Sequence, residues 1–257
     1  MARRVPDGPP PPPVVQRIRL RYAKRGRLRF TSHRDFARAF ERALRRAELP
    51  MAYSAGFSPH PKVSYIGAAP TGVASEAEYV EIGLAAELDV DSVRERLDAA
   101  LPDGLDIVDA VAAGPDSLAD RMQASAWRIE LAGVSREQCR AAVELFLARE
   151  ELSVERLTKN GRRAVDVRGA VQRLAVTSTG TPDVRAILDV VVRQVTPTVR
   201  PDDVVAGLRD VAGLAPSGPP LAVRLAQGPV GVDGTIGDPL AADRDHAATP
   251  SARQAHR

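Results

Sequence analysis

Hydrophobic residues alternate with arginines near the start of the chain. Ile18, Leu20 and Tyr22 alternate with Arg17, Arg19 and Arg21, the period of a strand with one face buried. Leu28 and Phe30 alternate in the same way with Arg27 and Arg29. A second short strand is therefore expected, across a turn or bulge at Lys24-Arg25-Gly26. The period then changes to that of a helix. Thr31 and Ser32 supply hydroxyls suited to an N-cap, and Phe36, Phe40, Ala43, Leu44 and Ala47 follow on one stripe. Arg34, Arg38, Arg42 and Arg45 fall on the opposite stripe. Met51–Ile66 reads as extended, because Pro59 and Pro61 keep Phe57-Ser-Pro-His-Pro-Lys62 out of a helix. The stretch from Tyr79 to Leu84 alternates as a strand. Val90–Ala100 is a helix with Val93 and Leu97 inward, and Asp106–Ala112 is a final strand. The order is β(β)αββαβ.

The same vocabulary returns from Ser125 onward. Trp127, Ile129 and Leu131 alternate as a strand, and Ser135-Arg-Glu-Gln138 matches a capping box. The helix behind it turns Cys139, Val143, Phe146 and Leu147 inward. Leu152–Leu157 and Arg163–Val167 flank Asn160-Gly161, a hairpin signal. Leu174–Thr177 and Val184–Val195 are further strands. Pro201 opens a helix with Val204, Val205, Leu208 and Val211 inward, Gly213 stops it, and Leu221–Leu225 adds a last strand. The expected fold class is α+β, with two tandem ferredoxin-like (βαββαβ-type) units. Residues 1–14 are read as a disordered Pro-rich lead, 15–113 as a basic ferredoxin-like unit and 125–226 as a second α+β unit. Residues 227–257, which carry His246 and His256, are read as a disordered tail.

Charge sharpens this plan. The 257-residue chain carries a formal net charge of only +3. Yet Arg17–Arg46 holds twelve Arg or Lys against Asp35 and Glu41, a local net of +10. Glu76–Asp120 compensates, with thirteen acids against Arg94 and Arg96. A cationic field this dense concentrates polyanions, and RNA is the expected one. The candidate nucleic-acid-binding residues are Arg19, Arg21, Lys24, Arg25, Arg27, Arg29, Arg34, Arg38, Arg42, Arg45 and Lys62. Tyr53 and Phe57, beside His60 and Lys62, are candidates for base stacking or substrate contact, because aromatic faces next to cations bind single strands. Glu76 and Glu78 either pair with arginines or mark the same site.

Catalytic chemistry has few candidates. His33 and Asp35 are the residue types a metal-free nuclease uses for proton transfer. They also lie at a helix start, where capping or packing explains them. No ligand spacing points to a metal, and no cofactor is expected. Cys139 is the only cysteine and falls on an apolar helix face, as a buried small hydrophobe does. One thiol cannot hold an iron–sulfur cluster. The longest apolar run falls well short of a membrane span. The first residues lead into prolines rather than a secretory h-region, so a cytoplasmic location is expected.

Four ordered motifs carry a resemblance. They are Arg27-Leu-Arg-Phe-Thr-Ser-His-Arg-Asp35, Phe40-Glu-Arg-Ala-Leu-Arg-Arg-Ala-Glu-Leu-Pro50, Tyr53-Ser-Ala-Gly-Phe-Ser-Pro-His-Pro-Lys62 and Gly72-Val-Ala-Ser-Glu-Ala-Glu-Tyr79. In order and spacing they resemble the bacterial radical-SAM-linked protein family, a domain family of unknown function, in its stand-alone form. The resemblance covers roughly residues 15–225. It departs at Arg34, where the family usually carries an apolar residue, and at His60, where Arg is common. The resemblance implies association with a radical SAM protein in trans. The expected function is a non-catalytic RNA-binding accessory module in tRNA or rRNA modification or processing. The alternatives are an RNA-processing enzyme using His33 and Asp35, and a protein-interaction adaptor.

Overall fold

Alternation at the start of the chain becomes β1 (Gln16–Lys24), which buries Ile18, Leu20 and Tyr22 and leaves Arg17 exposed. The computed structural model describes residues 11–158, 161–177 and 185–248. The fold is mixed α+β. It divides into two compact units, Met1–Ala119 with Leu240–Arg257, and Asp120–Pro239.

In the first unit, the second strand expected after β1 is replaced by a 3-10 turn, Gly26–Phe30. Leu28 N–H donates to the Arg25 carbonyl, and Thr31 N–H donates to the Leu28 carbonyl. Two apolar residues are too few to specify a strand. Leu28 packs on the core, whereas Phe30 is exposed. Helix α1 (His33–Arg46) starts where Ser32 Oγ accepts from the Asp35 N–H. Strands β2 (Val63–Ile66) and β3 (Ala74–Leu84) follow, then α2 (Val90–Ala100) and β4 (Ile107–Ala112). β3 begins five residues earlier than the alternation at Tyr79 suggests. All pairings are antiparallel, in the order β4-β1-β3-β2. Register sorts the two faces. Leu20 lies opposite Val80, which lies opposite Tyr65; Arg19 lies opposite Glu81, which lies opposite Ser64. The first row meets the helices. Phe36 stacks on Tyr22 at 4.5 Å between ring centroids, and Phe40, Leu44, Val93 and Leu97 complete this core.

The second unit runs β5 (Ala124–Ala132), α3 (Arg136–Leu147), β6 (Ser153–Thr158), β7 (Gly161–Asp166), β8 (Val171–Val176), β9 (Arg185–Arg193), α4 (Pro201–Ala212) and β10 (Leu221–Gly228). Its sheet order is β10-β5-β9-β8, all antiparallel, with β6 and β7 as a separate hairpin. Thr158 lies opposite Gly161, so the hairpin forms where Asn160-Gly161 signals one, but with Gly161 paired as the first residue of β7. Lys159 and Asn160 themselves lie outside the described residues, as does Val184. The Ser135–Gln138 capping box forms. Gly213 stops α4 at φ 65°, a left-handed conformation that a Cβ would strain. Leu147, expected inward, is instead exposed at the end of α3.

Composition reads residues 227–257 as a disordered tail, but residues 227–248 carry ordered structure. Val230 bridges Ile236, and α5 (Ala241–Ala248) joins the first unit. Asp243 on α5 is fully buried. It accepts from Arg19 Nη1 at 2.6 Å and from the Gly114 N–H at 2.9 Å. Residues 1–10 and 249–257, including His256, lie outside the described residues.

Candidate nucleic-acid interface

Helix α1 buries Phe36, Phe40, Ala43 and Leu44, and its 3.6-residue period places Arg34, Arg38, Arg42 and Arg45 on the exposed side. Arg38 approaches Asp35 at 4.0 Å, a loose i,i+3 pair. Arg34, Arg42 and Arg45, with Arg27 just before the helix, form no ion pair among the described residues. Exposed arginines without carboxylates keep their full charge for a ligand. At the N-terminal end of the row, the Arg29 guanidinium lies 4.7 Å from the Phe30 ring centroid, and Phe30 is 59% exposed. In the sequence Phe30 alternates with Leu28 as a buried strand residue would, which hides its exposure. Arg46 turns away from the row and donates to the Ala100 carbonyl.

The β1 cations have a different fate. Arg19 is 3% exposed, and its Nε donates to Glu81 at 2.9 Å while its other nitrogens reach Asp243 and the Asp116 carbonyl. Burial opposes the Arg19 charge, but its hydrogen bonds to the Asp243 and Glu81 carboxylates outweigh it and hold the pKa above the ordinary arginine value. Lys24 is also buried, with Nζ 3.5 Å from the Pro70 carbonyl. Arg25 is exposed but chelated by Glu76 and Asp106, and the Glu76 hydrogen bonds in particular raise its pKa. Arg21 and Arg29 are half-buried, each with a buried Nε that lacks a hydrogen-bond partner. Arg19 and Lys24 thus face inward, and Arg25 is neutralised by its neighbours.

The remaining candidates cluster on the loop before β2. Tyr53 bridges Pro61, Ser54 N–H donates to the His60 carbonyl, and Ser54 Oγ accepts from the His60 N–H at 3.1 Å. His60 and Lys62 are exposed, as is Phe57, at 71%. Glu76 belongs to the Arg25 chelate. Glu78 is buried and accepts from the Ala69 N–H at 3.0 Å.

His33 and Asp35 lie at the start of α1. Ser32 Oγ donates to Asp35 Oδ2 at 2.7 Å and accepts from the Asp35 N–H at 3.2 Å, a closed local cap. The His33 ring meets Tyr65 edge-on at 5.0 Å. The Tyr65 hydroxyl is buried without a hydrogen-bond partner; burial, aided by Glu41, holds its pKa above the ordinary tyrosine value. Near His33 the space between Tyr22, Lys24 and Glu78 measures about 10 Å³, and His33 itself is exposed. Among the described residues no group of three or more His, Cys, Asp or Glu side chains could hold a metal ion. No helix there is long and apolar enough to cross a membrane.

Residues 17–201 match the model of a family described as an uncharacterized protein conserved in bacteria (DUF2344), and the chain belongs to that family. No curated protein matches the chain.

Proposed function

We propose that this member of the family is a non-catalytic RNA-binding module, built of two tandem ferredoxin-like units and serving tRNA or rRNA modification or processing. The observation that carries the reading is the exposed row on α1. Arg34, Arg42 and Arg45 have no ion-pair partner among the described residues, and Arg27 and Phe30 extend the row. From Arg34 to Arg45 the helix rises about 16 Å. At the roughly 3.4 Å axial rise of a stacked, helical strand, that length spans about five phosphates. An exposed ring stacked on a guanidinium offers bases a platform at one end. Both sheet orders, β4-β1-β3-β2 and β10-β5-β9-β8, support the tandem ferredoxin-like reading if the β6–β7 hairpin is an insertion. The partner, a radical SAM protein acting in trans, rests on the four sequence motifs. The chain has one cysteine, too few for that enzyme's cluster, so any radical chemistry must belong to the partner.

The test is binding of single-stranded RNA followed by fluorescence anisotropy across a salt series. Replacing Arg34, Arg42 and Arg45 together by Glu is expected to weaken binding for all sequences. It should also reduce the slope of log K against log[salt] by about 2, at about 0.7 per lost phosphate contact. An unchanged slope overturns the assignment of α1. RNA cleavage by the purified chain that is lost in His33→Ala would promote the enzyme reading instead.

A further inference from the structure

A second cationic feature lies on the other face of the first unit's sheet. Arg17 pairs in register with Gly83, and the intervening Ile18 and Ile82 are buried beneath the helices. By strand alternation Arg17, Glu81 and Gly83 therefore face away from α1. They floor an open groove of about 450 Å³, walled by His60 and Lys62. This volume falls in the range of about 300–1,000 Å³ typical of small-molecule sites.

The groove is built by backbone pairing rather than by mobile side chains. Lys62 N–H donates to the Ala52 carbonyl, and Gly83 N–H donates to the Lys62 carbonyl. The Tyr53–Pro61 bridge and the Ser54–His60 bonds fix the wall that carries His60. Gly83 keeps the floor low: a Cβ there would stand 3.3 Å from Lys62 Cβ and from Val14 Cγ2. Its charge is uneven. Glu81 lines the groove, but its carboxylate is 2.9 Å from the buried Arg19 and only 3.9 Å from Arg17. Lys62 and His60 have no ion-pair partner among the described residues. Arg17 and Lys62 thus offer a forked donor and a point charge to one anion, with the His60 imidazole beside them.

We infer that this groove binds a terminal phosphate, either that of a free nucleoside 5′-monophosphate or that of the 5′-phosphorylated end of an RNA strand. The site is separate from the α1 row and stands without it. The phosphate sits between Arg17 and Lys62, with His60 beside it.

Calorimetric titration of the full chain distinguishes the sources. The ligands are adenosine 5′-monophosphate, a 5′-phosphorylated hexanucleotide and the same strand with a 5′-hydroxyl. The variants are Arg17→Ala/Lys62→Ala and the triple Glu variant of α1. Both altered groove residues are exposed, so the double variant is expected to keep the wild-type melting temperature. It should lose affinity for the phosphorylated ligands by about tenfold or more, the effect of removing a charge-assisted hydrogen bond. The α1 variant should retain the monophosphate. Binding of the monophosphate supports a free-nucleotide site; binding of the phosphorylated strand alone supports a strand-end site. Two results overturn the inference. One is equal affinity for the 5′-phosphoryl and 5′-hydroxyl strands with no monophosphate binding. The other is wild-type affinity in the double variant.

Discussion

Asp243→Ala should loosen the first unit although the residue lies 224 positions from its partner, Arg19. Both side chains are buried, at 0% and 3% exposure. Arg19 donates to Asp243 at 2.6 Å and to Glu81 at 2.9 Å, and the Asp243 carboxylate also takes the Gly114 N–H. Removing one member of a buried ion pair costs about 3–5 kcal/mol, because the other charge stays desolvated. Arg19 keeps Glu81, so the lower end, about 3 kcal/mol, is expected. Hydrogen exchange read by mass spectrometry is the suitable assay. Trp127 sits in the second unit, so its fluorescence reports the wrong one, and a chain of two units need not unfold in a single step. Amides of β1 and β4 should exchange roughly a hundredfold faster in the variant, at a factor of ten for each 1.4 kcal/mol. Truncation after Pro239 should have at least the same effect. Arg19→Met/Asp243→Leu, which removes both charges, should recover most of the loss. Protection in β1 that changes by less than about threefold in Asp243→Ala would falsify the claim that α5 is an integral part of the first unit.

Other expectations are quickly checked. Cys139 is fully buried, and burial pushes its thiol up to about 11 from an ordinary 9.0. It should resist alkylation in the native protein at pH 8 and react on unfolding. The sign of its linkage follows: the unfolded thiol ionises first, so stability falls between about pH 9 and 11, and Cys139→Ala removes that part of the loss. Tyr65→Phe deletes a buried hydroxyl with no hydrogen-bond partner, so denaturant melts should show no loss, or a gain of up to about 1 kcal/mol. A clear loss would mean the hydroxyl has a partner. His33→Ala should cost only about 0.5 kcal/mol, from its edge contact with Tyr65. Ser32→Ala, which removes the cap, should cost about 1 kcal/mol. For the proposed partner, charge reversal at the exposed acids Glu87, Asp91 and Glu95 should reduce recovery of a radical SAM protein in pull-downs without weakening RNA binding. Asp89 is avoided because it caps α2. If neither version recovers such a protein, the partner proposal fails.

Local signals carried most of the fold. Ser32, the Ser135–Gln138 box and the Pro201…Gly213 pair mark three helices within a few residues, because a cap is written beside the helix it ends. Hydrophobic period carried the strands. What failed was non-local. Helix α5 has little apolar surface of its own, and its buried anchor is an aspartate whose partner is on β1. No window of sequence contains both. The 3-10 turn at Gly26–Phe30 failed for the opposite reason, since a two-residue alternation is too short to separate a strand from a tight turn. At the candidate site the α1 row was legible, because a helix period sorts exposed from buried residues unaided. The β1 arginines were not.

Their fate follows from strand pairing. Arg17–Arg46 reads as strongly basic, and Glu76–Asp120 reads as a separate acidic stretch. The register of β1 with β3 brings the two together, with Arg19 directly opposite Glu81. Arg25 reaches Glu76 at the start of β3 and Asp106 just before β4, and Asp109 on β4 meets Arg244 from α5. Opposite charges on neighbouring strands are a means of fixing register, since a one-residue slip would bury each charge against the wrong row. Much of the apparent charge asymmetry is therefore internal pairing and offers no field to a ligand. Helix α1 has no strand neighbour on its outer side to supply carboxylates, and its own acids, Asp35 and Glu41, are fewer than its arginines. In the first unit, the exposed cations left for a ligand include the α1 row on one side of the sheet and Lys62 with Arg17 on the other. Binding that is insensitive to both groups would point to the second unit, where Arg128, Arg156, Arg162 and Arg185 face carboxylates but Arg140, Arg149, Arg163, Arg193 and Arg209 are exposed with no ion pair among the described residues.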